Sequence, residues 1–174
     1  MPLETQEAPV YGMISEDADG DGNLDVLMVG NDYGMDPYSG RHDAFNGLFL
    51  KGDGNGSFST TTVSKSGFFV KGDAKGLAKI HTAKNEDIVI ATQNQDSLMV
   101  CSQNPAYNKN ILKWIDLQPG DCSGEVLLND GRKRKIEFYY GSTYLSQSSR
   151  KLPLQKDFKE VTITNFKGIK RKVL

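Results

Sequence analysis

With 174 residues, 37% of them hydrophobic and 25% charged, the chain has material for one good core or two small ones, and no apolar run of eighteen or more residues that would span a membrane as a helix. The formal net charge is −1 and the mean hydropathy −0.48, so no overall basic excess points to nucleic acid. Eighteen glycines against six prolines favour many tight turns over disorder.

The balance hides an asymmetry. Residues 132–174 hold twelve Lys and Arg against Glu137, Asp157 and Glu160, a net of +9, which leaves −10 on residues 1–131. Mutual neutralisation accounts for this more simply than a face for anionic polymers. Cys101 and Cys122 allow one bridge in an oxidising compartment but lack CxxC spacing. Met1-Pro2-Leu3-Glu4 has neither the basic region nor the apolar core of a signal peptide. The chain begins almost directly on a strand, which suggests a piece of a longer chain.

Val10–Ile14 and Leu24–Val29 read as short strands on either side of Asp17-Ala18-Asp19-Gly20-Asp21-Gly22-Asn23-Leu24-Asp25. Carboxylates at alternate positions of a tight loop are how hard cations such as calcium collect their six to eight oxygens. Asp17, Asp19, Asp21 and Asp25 offer side chains, and Asn23 offers its backbone carbonyl. Gly22 permits the bend. Four aspartates in nine residues repel one another, and no Lys or Arg occurs before Arg41 to offset them, so a bound cation is expected. The loop is not an EF-hand: the twelfth position is Met28 where a bidentate Glu is needed, and the flanks are strands.

The sequence Asp-x-Asp-x-Asp-Gly-x-x-Asp between two short strands resembles the calcium-binding hairpin of the FG-GAP repeat, which builds the integrin-type β-propeller and the bacterial VCBS-repeat proteins. All five ligand positions match.

Asn31 to Asn46 reads as a long polar connection. Gly47–Leu50 and Ser57–Val63 form a hairpin around Gly52-Asp53-Gly54-Asn55-Gly56, placed as the outer hairpin of a blade would be. No Gly-Lys-Ser/Thr follows, which argues against a phosphate loop. A second unit begins at Ser66–Val70, read as a strand. It continues through Lys71–Ile80, Ile88–Thr92 and Ser97–Cys101. Asp73 stands where the first unit has its acidic loop, but alone among lysines, so no second metal site is expected. Ser102–Asn110 is the expected linker.

Beyond it, Ile111–Leu117 is apolar with Trp114, and Glu125–Leu128, Lys133–Tyr140, Glu160–Thr164 and Ile169–Leu174 read as strands, with Asn129-Asp130-Gly131 as a hairpin turn. Gly141-Ser142-Thr143-Tyr144-Leu145-Ser146-Gln147-Ser148, with the strand–turn–strand of Val161–Lys172, resembles the ASPIC/UnbV domain that follows VCBS-type repeats in secreted proteins. That family often has Trp-Pro before the last turn, where this chain has Asn165-Phe166.

The expected architecture is all-β. Residues 1–103 would form about two blades of an incomplete β-propeller, and 111–174 a small antiparallel β domain. By resemblance the protein is bacterial, extracellular or on the cell surface, and non-enzymatic. It would bind calcium and an unknown protein or glycan, with self-association through exposed strand edges. The alternative is a carbohydrate-recognition segment attached to a polysaccharide hydrolase or lyase. No catalytic set emerges. His42 and His81 read as surface residues without positioned partners. Ser142, Ser146, Ser148 and Ser149 have no neighbouring His or nucleophile elbow. Glu125, Glu137 and Glu160 lie on separate strands. Trp114, Tyr139, Tyr140 and Tyr144 read as core aromatics more readily than as a sugar platform.

Overall fold

The computed structural model describes residues 1–103 and 109–174; the part of the expected linker from Asn104 to Asn108 lies outside the described residues. The described chain is all-β, built of small antiparallel sheets. It divides into two compact units, Met1–Asn104 with Gly141–Ser149, and Pro105–Tyr140 with Arg150–Leu174.

In the first unit β1 (Val10–Glu16), β2 (Asp25–Gly30), β3 (Leu48–Gly52) and β4 (Phe58–Thr61) form a meander in chain order. Burial alternates along β1, whereas every residue of β2 is buried, as expected for an inner strand covered on both faces. A second sheet follows in the order β5 (Ala74–His81), β6 (Asp87–Gln93), β7 (Met99–Ser102). Ile14, Leu27, Val29 and Phe49 of the first sheet share one core with Leu77, Val89 and Ala91 of the second. Gly12 lets the sheets approach: a Cβ there would lie 2.6 Å from the Leu77 Cβ. On the far face of the meander Val26, Met28 and Leu50 make a smaller cluster.

In the first unit two details depart from the sequence expectations. Residues 66–70 are not a strand. A single-turn helix, α1 (Val63–Ser66), ends at Gly67 with φ +69°. Phe68 and Val70 then enter the core on extended chain, where Val70 N–H donates to Asn46 O (3.0 Å). Burial of the two side chains, not a strand ladder, fixes this segment.

The second departure is the segment 141–149, expected within a C-terminal domain at 111–174. It belongs to the first unit because its hydroxyls serve the free edge of β5. Leu77 N–H donates to Thr143 Oγ1 (3.3 Å), Lys79 N–H to Ser148 Oγ (3.0 Å) and His81 N–H to Ser149 Oγ (3.0 Å). In return Thr143 Oγ1 donates to Leu77 O (2.7 Å) and Ser149 N–H to Lys79 O (2.8 Å). Tyr144 packs edge-on against Tyr11, ring centroids 5.7 Å apart.

The second unit contains β8 (Ile111–Asp116), β9 (Asp121–Leu128), β10 (Lys133–Glu137), β11 (Lys151–Gln155), β12 (Phe158–Asn165) and β13 (Lys170–Lys172). One sheet runs β10-β9-β12-β13, and β11 pairs with β8. Val126, Leu128, Leu152, Leu154, Phe158, Val161 and Ile163 form its core. No strand was expected at β11, which has Pro153 at its middle. Among the described residues β11 pairs only with β8, an edge position that tolerates a residue without N–H. The Arg150 guanidinium donates to Phe138 O, Tyr139 O, Gln118 O and Asp121 O at 2.7–3.3 Å. It also stacks 4.0 Å from the Tyr140 ring centroid. Cys101 and Cys122 are both free thiols.

The hydroxyl contacts carry a measurable share of the first unit's stability. A hydrogen bond contributes about 0.5–1.5 kcal/mol net. Ser148→Ala with Ser149→Ala is therefore expected to cost about 1–3 kcal/mol and to speed amide exchange at Lys79 and His81. Unchanged protection of those two amides would show that the hydroxyls do not guard the edge.

Candidate metal centre in the acidic turn

The turn joining β1 to β2 is held by its own aspartates. Gly20 N–H and Gly22 N–H donate to the two oxygens of Asp17 (2.9 and 3.1 Å), which is buried. Asp21 N–H donates to Asp19 Oδ1 (3.1 Å), and Asn23 N–H to Asp21 Oδ1 (2.8 Å). Gly20 and Gly22 take φ of +81° and +84°, left-handed values that cost glycine little. The chain thus folds so that one carboxylate oxygen each from Asp17, Asp19 and Asp21 lies within 4.8 Å of the others.

Asp25 and Asn23 complete the sequence-derived set but sit differently. Asp25 is fully buried at the base of the turn. Its oxygens accept from Ala18 N–H (3.0 Å), within the turn, and Gly52 N–H (3.0 Å), fastening the turn to β3. Burial raises its carboxyl above the ordinary range, against the opposing pull of those two donors. Asn23 lies on the same turn and contributes the N–H already described.

The aspartates are not without a cation, as the local sequence suggests they are. A basic side chain does reach the cluster: Lys51 on β3, 32 residues from Asp19, sits against Asp19 and lies 2.8 Å from Asp21 Oδ2. Hydrogen bonds first to Asp19 and then to Asp21 hold its ammonium well above its usual pKa. Burial opposes ionisation of Asp21, but the Lys51 and Asn23 hydrogen bonds outweigh it and hold that carboxyl below its usual value. The signal was in the strand register. Val26 stands opposite Leu50, which places Lys51 beside the end of the turn.

Calcium takes six to eight oxygens. Three hard carboxylate oxygens converge here, which fits such an ion in kind, while the ammonium of Lys51 competes for the same charge. Asp73, set apart in the sequence as a lone carboxylate, is buried and pairs with Lys75 (2.7 Å).

The remaining candidates are placed as follows. His81 is not on the surface: its side chain is 5% exposed and its Nδ1 lies 2.8 Å from Asp87 Oδ1. Lys79 bridges Glu16 (2.8 Å) and Asp87 (3.4 Å), so a buried ionic group joins β1, β5 and β6. Sequence spacing gave no sign of it, because its members meet only when the sheets stack. His42 is exposed. Glu125, Glu137 and Glu160 each pair with a lysine, Lys170, Lys135 and Lys172. A scan against protein-family models gave no match, and a search of curated proteins gave none.

Because Lys51 is 45% exposed, its pairs contribute at most about 1 kcal/mol. Lys51→Met is expected to cost up to that amount at pH 7 without divalent cations. The folded pKa of Asp21 is depressed, so this contribution is present above its unfolded value near 3.9 and fades as pH falls through the folded value. Urea melts of parent and variant should differ at pH 7 and converge once the pH has fallen below the folded value of Asp21. A difference that persists in acid would assign the effect to packing of the lysine stem.

Proposed function

We propose that this chain is a non-enzymatic, calcium-binding β module that serves binding or adhesion outside a bacterial cell. In this reading its two stacked sheets are neighbouring blades of an FG-GAP/VCBS-type propeller, and the second unit is of ASPIC/UnbV type. The observation that carries the proposal is the convergence of the Asp17, Asp19 and Asp21 oxygens in the β1–β2 turn. A four-stranded meander that packs one face on the next sheet supports the blade reading. The serines best placed to suggest a nucleophile are spent on β5: Ser148 and Ser149 accept its N–H groups.

Bound calcium would supply positive charge to oxygens that otherwise repel one another. Asp17, Asp19 and Asp21 would hold it, and Asn23 and Asp25 belong to the wider set that the motif implies. The turn's backbone N–H donors already orient the three converging carboxylates. The Lys51 ammonium pairs with Asp19 and Asp21 and would compete with a cation for their oxygens.

If calcium binds the native form alone, a hundredfold excess over the dissociation constant adds about 2.7 kcal/mol. The melting temperature should be higher in calcium than in chelator, with a single strong site by titration. Asp19→Ala with Asp21→Ala should abolish the difference, whereas Lys51→Met should tighten binding by removing the competing charge. A parent protein whose melting temperature ignores millimolar calcium would overturn the proposal.

A further inference from the structure

Away from the acidic turn, the first unit holds a cleft of about 480 Å³, inside the roughly 300–1,000 Å³ range of ligand clefts. Three stretches enclose it: the β2–β3 connection, the chain entering β5, and the β6–β7 turn. The first is braced by Asn31, fully buried at φ +86°. Its amide donates to Phe45 O (2.7 Å) and Gly72 O (2.8 Å), and Phe45 N–H donates back to its oxygen (2.9 Å). The loop that carries the cleft is thereby tied to the chain entering β5.

The lining is polar almost throughout. Asp43, Asp73 and Asp96 bring carboxylates, and Asn46, Asn94 and Gln95 bring amides. Several are fixed in place. Tyr33 O–H donates to Asp43 (2.6 Å), Asn94 Nδ2 to Asp73 Oδ2 (3.1 Å), and Ser97 N–H to Asp96 (2.6 Å). Asp73 is 2% exposed, and its Oδ1 has the Lys75 ammonium at 2.7 Å but no aligned hydrogen bond. The Lys75 ion pair and the Asn94 hydrogen bond thus hold Asp73 fixed in the wall.

The lining also rules out other ligand classes. A drug-like apolar ligand needs mostly hydrophobic walls, and Tyr33 is the one aromatic ring here. The three carboxylates face Lys71, Lys75 paired with Asp73, and Arg41 over the Tyr33 ring, a near balance that gives no net pull on phosphates or uronic acids. Among the described residues the carboxylates that converge closely enough for an ion are Asp17, Asp19 and Asp21, not those of the cleft. A ligand dense in uncharged hydroxyls remains. Each hydroxyl donates once and accepts twice, which matches fixed carboxylate acceptors interleaved with amides. We infer that this cleft binds a neutral saccharide. The inference names a ligand class for the binding module proposed above and uses none of the metal-turn residues, so either can fail without the other.

The test uses the whole chain on an array of neutral and uronic-acid oligosaccharides, in calcium and in chelator. Neutral oligosaccharides should retain it in both buffers, and the acidic ones should not. Calorimetric titration with the best neutral ligand should then show at least tenfold weaker binding for Asn46→Ala and for Asp96→Asn. Asn46 is exposed, so its variant keeps the fold and the parent melting temperature even if Asp96→Asn does not. No retention by neutral oligosaccharides, a preference for acidic ones, or full affinity in Asn46→Ala would overturn the inference.

Discussion

The first unit is organised around a surplus of negative charge at one turn. Asp17, Asp19, Asp21 and Asp25 fall within nine residues, and like charges at that spacing oppose folding unless each finds a donor. The chain answers with its own backbone. Gly20 and Gly22 N–H satisfy Asp17, while Ala18 and Gly52 N–H satisfy Asp25. Lys51 covers Asp19 and Asp21. The contacts that relieve repulsion also tie the turn to β2 and β3, so the electrostatic constraint becomes a structural one. The same arrangement leaves three oxygens facing a common point.

The second sheet is secured by polar groups of another kind. Glu16 on β1, Lys79 on β5 and Asp87 on β6 form a buried ionic group, with His81 against Asp87. Burying such charges costs several kcal/mol in desolvation, so pairing largely offsets a penalty and contributes little net stability. It does penalise slippage, since a one-residue shift would turn each side chain to the opposite face. On the edge of β5 the hydroxyls of Thr143, Ser148 and Ser149 meet N–H groups that a neighbouring strand would otherwise take.

In the second unit one cation does comparable work. Arg150 donates to four carbonyls and stacks on Tyr140. It thereby closes the chain around Gln118 and Asp121 onto the end of β10. Nearby, Asp121 is buried and pairs with Arg171 of β13. The surface ion pairs of this unit, such as Lys172–Glu160 at 3.0 Å, add at most about 1 kcal/mol each. Local pairing of this kind accounts for part of its basic excess.

Local chemistry was legible without coordinates wherever a residue's partners lie close in the chain. Alternating apolar residues and glycine-rich turns announced an all-β protein, and β1, β2, β6 and β9 fall near their expected places. The acidic turn was recognisable because its spacing, its glycines and its backbone donors all lie within nine residues. What the tertiary structure decided involves partners far apart. Lys51 reaches Asp19 across 32 residues only once β2 and β3 pair. Ser149 reaches His81 across 68, and Asn31 reaches Gly72 across 41. No periodicity encodes such meetings, because they depend on sheet stacking and loop closure. For the same reason a run read as one C-terminal stretch is divided between two units, and a histidine read as exposed is buried against Asp87.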